Sequence, residues 1–254
     1  MTEKILRSRE SILGVQISAL NLEQAESAIA QWVSQGAKHY ACITTVHGVM
    51  ECQRDPRLLE IYNASGLAAA DGMPLVWILR ARGHTSITRV YGPDLMINIC
   101  RSSVDRGDRH FLYGGAPGVA DSLAHTLVDS LEGIQIVGTH SPPFHKLTEA
   151  EDREIVSKIN SAQPDIVWVG LGTPKQERWM AEHLELLNSS ALVGVGAAFD
   201  FLSGTKAQAP RWMQQNGLEW MFRLATEPRR LWKRYLIYNP WFLYKLGIEA
   251  VRSR

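Results

Sequence analysis

Two glycine-containing loops hold the residues of this chain that best suit the binding of a phosphate. Each loop follows an apolar run and leads into a polar segment that can start a helix, within residues 166–180 and residues 191–206. In the first loop, Thr173 is placed to cap a helix and Pro174 to occupy its first turn. Free N–H groups at a helix start, with Lys175 beside them, suit an anion. The spacing therefore predicts a site for a nucleotide or a nucleotide sugar.

Asp71 and Arg89 are candidates for chemistry on such a ligand. Asp71 ends an apolar run, and a carboxylate among apolar neighbours can act as a general base. Spacing alone favours a simpler role, a cap for a helix that begins near Pro74. Arg89 precedes a glycine turn, where a guanidinium can hold a phosphate with two hydrogen bonds, but it could equally pair with Asp94.

Polar residues and glycines at other strand ends could complete the site. Thr44, Thr45 and His47 lie where the first predicted strand ends, although Thr45 could instead cap a helix. Gly114 and Gly115 form half of a dinucleotide-binding pattern, for which a tight turn is the simpler interpretation.

The two phosphate-binding loops contain further candidates. Gly172 precedes Thr173 in the first loop, and we expect one of Gln176, Glu177 and Arg178 to reach a ligand while the others are solvated. Asp200, in the second loop, could accept hydrogen bonds from a base or sugar, or make a local loop bond. No Asp-x-Asp pair is present to hold Mg²⁺ on a diphosphate, so cations and helix N-termini would have to stabilise a departing nucleoside diphosphate.

Alternating strand and helix patterns place these residues at one edge of a mostly parallel sheet with helices on its faces. Ligands of such sheets bind beyond the carboxyl ends of the strands. The predicted strands are 40–44, 66–70, 110–113, 134–139, 165–170 and 192–196. The predicted helices are 22–35, 74–82, 93–105, 119–131, 149–161 and 175–187, the fifth starting at the capping box Thr148-Glu-Ala-Glu151.

The composition excludes several classes of protein. With 254 residues, 45% of them hydrophobic and 21% charged, the chain should fold as one large α/β domain with room for an appendage. Cys42, Cys52 and Cys100 lack metal-site spacing, which favours buried thiols and a reducing compartment. The first ten residues lack the apolar core of a secretory signal, and no apolar run approaches the ~20 residues that span a bilayer.

From about residue 211 the sequence becomes basic and aromatic. Residues 223–254 have a net charge of +6, against −5 for the rest of the chain, and four of the eight tryptophans lie in 211–254. Arg223, Arg230, Lys233 and Arg234 recur at roughly helical intervals among aromatic residues, which suits an anionic membrane surface. Helix packing onto the domain or a subunit contact would also account for the pattern, while the acidic remainder of the chain argues against nucleic acid.

The prediction is therefore a Rossmann-like, mostly parallel α/β sheet flanked by helices, with a C-terminal helical appendage. Residues 1–210 are assigned to the α/β domain that binds the ligand. Residues 211–254 are assigned to a basic, aromatic helical appendage, for which membrane docking, helix packing and a subunit contact all stay open at this point.

An ordered set of short motifs resembles the WecG/TagA/CpsF glycosyltransferases of bacteria, glycosyltransferase family 26. Each motif is weak alone, but together they cover nearly the whole chain in order. The matching segments are Val46-His-Gly-Val-Met-Glu51, Ala70-Asp-Gly-Met-Pro-Leu-Val-Trp77, Arg89-Val-Tyr-Gly-Pro-Asp94, Tyr113-Gly-Gly115, Val169-Gly-Leu-Gly-Thr-Pro-Lys-Gln-Glu-Arg-Trp179, Gly194-Val-Gly-Ala-Ala-Phe-Asp-Phe201, and the motifs within 204–213 and 217–230.

The resemblance implies an inverting transfer of a hexose from a UDP-sugar to an undecaprenyl-diphosphate-linked sugar, without a metal or other cofactor. N-acetylmannosamine, its uronic acid and glucose are all plausible donor sugars. The enzyme would be cytoplasmic and peripheral on the inner face of the cell membrane. A nucleotide-sugar oxidoreductase, against which the broken glycine pattern counts, and a UDP-sugar-binding module without turnover are the competing hypotheses. The apolar face of the appendage could also form the contact of a homo-oligomer.

The resemblance also assigns roles to single residues. The base of the family falls on Asp71, its diphosphate-contacting arginine on Arg89, its UDP-contacting glutamine on Gln176 and the aspartate of its last nucleotide loop on Asp200. Asp71 thereby becomes a predicted base rather than only a cap.

Two positions depart from the family pattern. The membrane-facing arginine positions of the appendage fall on Arg223, Arg230 and Lys233, and a lysine at the last of these keeps the charge but loses the bidentate fork. Many relatives have an asparagine where this chain has Thr45, which leaves open which of Thr44, Thr45 and His47 contacts the nucleotide.

Overall fold

Eight strands form one sheet, and their order brings strand ends from distant parts of the chain together. The computed structural model describes residues 8–252, with side chains described through residue 251. The order across the sheet is β1-β2-β4-β3-β8-β7-β5-β6, and only β1 and β2 pair antiparallel. The strands are β1 Arg9–Ile12, β2 Val15–Ser18, β3 His39–Thr44, β4 Leu67–Ala70, β5 Arg109–Gly114, β6 Gln135–His140, β7 Ile166–Gly170 and β8 Ala191–Gly194.

Helices cover both faces of the sheet and continue into the C-terminal segment. In the α/β part they are α1 Leu22–Gln35, α2 Val46–Cys52, α3 Pro56–Ala64, α4 Met73–Ala81, α5 Gly92–Arg106, α6 Val119–Ser130, α7 Glu149–Ala162, α8 Lys175–His183 and α9 Ala198–Leu202. The C-terminal segment contains α10 Arg211–Gln215, α11 Glu219–Thr226, α12 Pro228–Lys233, one π-helical turn Arg234–Tyr238 and α13 Asn239–Arg252.

The central strands β3, β4, β5, β7 and β8 have residues that are buried on both faces of the sheet. Successive side chains point to opposite sides of a strand, so Phe111 and Val167 enter one core cluster while Leu112 and Trp168 enter the other. The first cluster packs under α2, α3, α4, α7 and α8, and the second under α1, α5 and α6. A parallel sheet buried on both faces in this way reads as continuous apolar runs, which is what made the strands recognisable.

The predicted α/β fold is confirmed. All six predicted strands and all six predicted helices are present to within a few residues, although the last helix ends at His183 rather than at 187. The predicted capping box is also present, because the Glu151 N–H bonds to the Thr148 hydroxyl at 3.3 Å and the Thr148 N–H to the Glu151 carboxylate at 2.7 Å. The sequence interpretation missed the β1–β2 hairpin and the short helices α2 and α3. The three cysteines are buried and free, as predicted.

The C-terminal segment packs against the α/β part. Leu231 and Phe242 are buried, Phe242 within the first core cluster, and the Leu13 N–H donates to the Glu249 carboxylate at 3.1 Å. A boundary at residues 210 and 211 stays a prediction. No described helix is both long and apolar enough to cross a bilayer. Residues 1–7 and 253–254 lie outside the described residues. They include the two ends of the predicted domains and most of the segment expected not to be a secretory signal.

Candidate functional site

An open cavity of about 960 Å³ lies at the carboxyl ends of β3, β4, β5, β7 and β8, close to the upper end of the usual volume of small-ligand sites. It collects residues from both predicted phosphate loops and from the C-terminal segment. Of the predicted site residues, those that line it are Thr45, His47, Asp71, Gly115, Gly172, Thr173, Lys175, Gln176, Asp200, Arg223, Arg230, Lys233 and Arg234. Thr44, Arg89 and Gly114 do not line it.

Asp71 is held rigidly at the end of β4. Its backbone N–H donates to the Thr44 carbonyl at 2.8 Å, which ties it to the neighbouring strand β3. Its Oδ1 atom lies 2.8 Å from both Nε and Nη2 of Arg89, and Arg89 Nε also donates to the Asp71 carbonyl at 2.6 Å. Gly72 occupies the cap position of α4 without a side-chain bond, so the helix-cap interpretation of Asp71 is wrong.

Arg89 lies behind Asp71 and not at the cavity wall. Its Nη2 atom is also 2.7 Å from Oε2 of Glu219, and its guanidinium stacks on Tyr91 at 4.1 Å. Burial lowers the pKa of Arg89, but the two carboxylates outweigh it and hold the pKa above its ordinary value. The alternative pairing with Asp94 is wrong, since Asp94 pairs with Arg211. The charge of Arg89 is therefore shared by two carboxylates in this structure, and its predicted contact with a phosphate stays a prediction.

The loop after β7 does not have the helix cap that the sequence predicted. The Thr173–Pro174 peptide bond is cis, Pro174 occupies the cap position, and α8 begins at Lys175. The Thr173 hydroxyl donates to Glu177 Oε1 at 2.9 Å, so the prediction that Thr173 caps the helix is wrong. Gln176 is buried, and its Oε1 accepts the Gly172 N–H at 3.1 Å, which fixes the shape of the loop.

Glu177 is a fully buried carboxyl beneath this loop. Its Oε1 accepts hydrogen bonds from Tyr62, Thr173 and Gln176 at 2.9–3.1 Å, and burial raises its pKa. Its Oε2 has no hydrogen-bond partner among the described residues. The expectation that two of the three residues 176–178 are solvated is therefore wrong: Gln176 and Glu177 are buried, and Arg178 pairs with Asp55.

Glycine is required where the ends of β5 and β7 approach each other. Gly114 has φ +131°, and a Cβ there would lie 2.6 Å from the Gly170 carbonyl carbon. Gly114 is therefore needed for the close approach of the two backbones. Of these two glycines, Gly115 is the one that lines the cavity.

Thr45 and His47 face the cavity, and Thr44 does not. The Thr44 hydroxyl is buried and donates to the Cys42 carbonyl at 3.1 Å, so its side chain is not placed for a ligand. Thr45 starts α2 without a side-chain cap bond, and its hydroxyl accepts from Arg234 at 3.0 Å. Burial, with Arg234 nearby, lowers the pKa of His47 to about 3, so its ring is neutral near pH 7 and supplies no counter-charge for a phosphate.

The second loop is tied to the C-terminal segment by charge. Asp200 pairs with Lys206 at 2.7 Å, and the Lys206 N–H also donates to the Asp200 carbonyl, so the local loop bond is present. Lys206 is 3.2 Å from Glu227, which in turn is 2.7 Å from Arg230. The cavity wall on this side is thus a chain of alternating charges.

Cations dominate the part of the cavity formed by the C-terminal segment. Arg223, Arg230, Lys233 and Arg234 all line it, with Arg223 resting on the ring of Phe201 at 5.5 Å. Burial is the main cause that lowers the pKa of Arg234, and the nearby Arg223 and Arg230 lower it further. Such a concentration of positive charge inside a concave site attracts an anion such as a diphosphate.

The family model for glycosyl transferases of the WecG/TagA/CpsF family matches residues 10–254. The chain belongs to this family. Its members include proteins named N-acetylglucosaminyldiphosphoundecaprenol N-acetyl-beta-D-mannosaminyltransferase. The one from Bacillus spizizenii is 31% identical over 186 residues, covering 73% of this chain and 70% of the relative. The one from Bacillus subtilis is 29% identical and covers 85% of each chain. The one from Staphylococcus aureus strain NCTC 8325 is 24% identical and covers 96% and 94%.

As a member of the WecG/TagA/CpsF family, the protein is a glycosyltransferase. Sequence interpretation found most residues of the cavity but missed Lys206 and Glu219, and it did not predict that Glu177 is buried beneath the loop. The acidic residues of the C-terminal segment offered a signal for Glu219, because carboxylates are rare in this basic stretch.

Proposed function

We propose that this protein transfers an N-acetylmannosamine-type hexose from a UDP-sugar to N-acetylglucosaminyl-diphosphoundecaprenol, with inversion at the anomeric carbon, in the synthesis of a cell-surface polysaccharide. The observation that carries the proposal is the pairing, in one cavity, of a fixed carboxylate at the sheet edge with a wall of cations. The names of the relatives support the choice of sugar and of acceptor.

Asp71 is the proposed base. Arg89 holds its Oδ1, so we assign the proton to Oδ2. The acceptor hydroxyl gives its proton to this oxygen and attacks the anomeric carbon from the face opposite the nucleotide. The bond from that carbon to the β-phosphate oxygen breaks, and UDP leaves with the electron pair. A single displacement of this kind inverts the configuration.

The cations of the cavity are proposed to stabilise the departing UDP. Lys175 at the start of α8, together with Arg223 and Arg234 of the C-terminal segment, supplies positive charge without the need for a metal ion. Thr45, Gly115, Gln176 and the loop at Asp200 complete the proposed nucleotide contacts. Arg89, which the family resemblance places on the diphosphate, is proposed instead to hold the base.

The C-terminal segment is proposed to hold the enzyme on the inner face of the cell membrane. It exposes Trp212, Trp220 and Trp232 beside its arginines and lysines. Indole rings favour the bilayer interface, and each basic side chain near an anionic surface contributes about 1 kcal/mol. The cavity would then open toward the lipid on which the acceptor is carried.

Release of UDP by the full chain tests the proposal. Purified protein is given UDP-N-acetylmannosamine, its uronic acid or UDP-glucose, with a short-chain prenyl-diphosphate-N-acetylglucosamine acceptor and EDTA. We expect acceptor-dependent release of UDP from the N-acetylmannosamine donor. Binding of UDP-sugar, measured by calorimetry, without turnover on this acceptor for any of the three donors would overturn the transferase proposal and favour a binding module.

A further inference from the structure

All three carboxylates of the C-terminal segment pair with cations of the α/β part. Residues 211–254 contain only Glu219, Glu227 and Glu249 as acidic residues. Glu219 meets Arg89 at 2.7 Å, Glu227 meets Lys206 at 3.2 Å and Glu249 meets Arg82 at 3.3 Å. The rest of the segment is rich in positive charge, so these three ion pairs help to hold it in position against the α/β part. Glu219 is the one that pairs with Arg89, which in turn binds Asp71.

Glu219 and Asp71 compete for one guanidinium. Arg89 Nη2 lies 2.8 Å from Asp71 Oδ1 and 2.7 Å from Glu219 Oε2, and the exposed fractions of the Arg89, Asp71 and Glu219 side chains are 17%, 18% and 11%. At this burial, charges are weakly screened by solvent. The Glu219 carboxylate is close enough to attract the guanidinium strongly.

Tight packing brings Glu219 to this position. The turn before α11 contains Gly217, with φ +71°, and a Cβ there would lie 2.9 Å from the indole of Trp77 and 3.3 Å from Met73 Cβ. Met73 and Trp77 belong to α4, the helix that follows Asp71. The turn therefore rests on the same helix start that carries the proposed base.

We infer that Glu219 is a positioning residue that sets the orientation of Asp71 through Arg89. The inference rests on the proposed function, in which Asp71 is the base. With Glu219 present, Arg89 is drawn toward two carboxylates and holds Asp71 by Oδ1 and by its carbonyl, which leaves Oδ2 toward the cavity. Without the second negative charge, the full positive charge of Arg89 falls on Asp71, and the carboxylate turns toward the guanidinium and away from the acceptor.

Glu219→Gln tests this role, because it keeps the shape of the side chain and removes its charge. Arg211→Gln is the matched control, since it removes another ion pair between the C-terminal segment and the α/β part, at 2.8 Å to Asp94, that does not touch Asp71. We expect kcat of Glu219→Gln to fall by about tenfold or more, a part of what a general base contributes. The KM for UDP-sugar should stay within about twofold, and Arg211→Gln should retain wild-type kcat. Equal kcat in the two variants, or a loss that appears in KM alone, would overturn the inference.

A spectroscopic measurement makes the test independent of turnover. In ¹⁵N-labelled full-length protein, the Nε–H resonance of Arg89, identified by its loss in Arg89→Lys, reports the hydrogen bond to Asp71. We expect Glu219→Gln to shift this resonance and Arg211→Gln to leave it in place. An unmoved resonance refutes the inference even if the wild type proves inactive on the proposed substrates, whereas a failure of the proposed function alone leaves the shift intact.

Discussion

At the scale of single residues, the site depends on carboxylates in unlike surroundings. Asp71 faces the cavity and is bound on one oxygen by a guanidinium. Glu177 is fully buried beneath the loop between β7 and α8, and one of its oxygens accepts hydrogen bonds from neutral donors. Under the proposed function the first exchanges a proton with the acceptor, whereas the second holds a loop in shape.

Removing the charge of Asp71 should abolish catalysis without abolishing nucleotide binding. For Asp71→Asn we expect kcat to fall by about 10²–10⁴-fold, the usual contribution of a general base, while the Kd for UDP is unchanged. Steady-state UDP release and calorimetry provide the two numbers. Asp94→Asn is the control, because Asp94 pairs with Arg211 away from the base. Full turnover by Asp71→Asn would refute the assignment of the base.

Glu177 should make stability fall as the pH rises. An unfolded glutamate titrates near pH 4.3, and burial raises the pKa of Glu177 in the folded state. Between these two pKa values the folded state keeps a proton that the unfolded state loses, so raising the pH destabilises the wild type. A glutamine at this position does not titrate, and its amide oxygen can accept the three bonds now made to Oε1.

Melting temperatures of the wild type and Glu177→Gln at pH 4.5, 6 and 8 test this expectation. The difference, wild type minus variant, should decrease steadily with pH. Glu149→Gln, at a side chain that is 94% exposed, should show no such trend. If the melting temperatures of the wild type and Glu177→Gln instead change in parallel with pH, Glu177 is ionised in the folded protein across this range.

At the scale of secondary-structure elements, the packing of the turn before α11 against α4 helps to place Glu219. This packing requires glycine at position 217. Its φ is +71°, and a Cβ there would lie too close to the indole of Trp77. A left-handed conformation alone costs a non-glycine residue roughly 1–2 kcal/mol.

Gly217→Ala should therefore disturb both stability and turnover. Gly36→Ala is the matched control, because Gly36 has φ +62° at the end of α1 and an added Cβ there would have nothing within 4 Å. We expect Gly36→Ala to lower Tm by about 2–4 °C per kcal/mol of strain and to keep kcat. Gly217→Ala should lose more in Tm and should also lose kcat, since the turn must move off Trp77. Identical Tm and kcat in the two variants would show that the contact with Trp77 does not matter.

The elements also show what the sequence could and could not reveal. Strands β3, β5 and β7 were predictable because both of their faces are buried, and the sheet edge then located Asp71 and the glycine loops. Strands β1 and β2 were missed because both contain polar residues and β1 is partly exposed, so neither forms a continuous apolar run like those of β4 and β8. The partner of Arg89 could not be predicted, because Glu219 is 130 positions away and the two charges meet only where the turn before α11 packs against α4.

At the scale of the whole molecule, charge and apolar surface are concentrated in the same part of the chain. Four basic residues of the C-terminal segment line the cavity, and the segment also exposes Trp212, Trp232, Leu236 and Leu243. The α/β part is net acidic. This asymmetry gives the molecule one side suited to an anionic interface.

Removing two exposed indoles should weaken membrane binding and leave nucleotide binding unchanged. Trp212 and Trp232 are 59% and 44% exposed, so Trp212→Ser with Trp232→Ser should not unfold the protein. In sedimentation with phosphatidylglycerol vesicles, we expect the double variant to remain in the supernatant while its Kd for UDP is unchanged. Val128→Ser, at an exposed apolar residue on α6, should sediment like the wild type. Equal sedimentation of all three proteins would contradict a docking role for the segment.

The shared position of the cationic cavity and the exposed tryptophans has a kinetic consequence under the proposed function. An acceptor whose polyprenyl chain stays in the bilayer would reach Asp71 by lateral diffusion, in two dimensions. The quantity that governs its encounter with the enzyme is then its mole fraction in the membrane, and diluting it with inert lipid would slow turnover even at a constant amount per volume. The donor, arriving from water, would obey ordinary bulk saturation, so one active site would follow two different concentration scales.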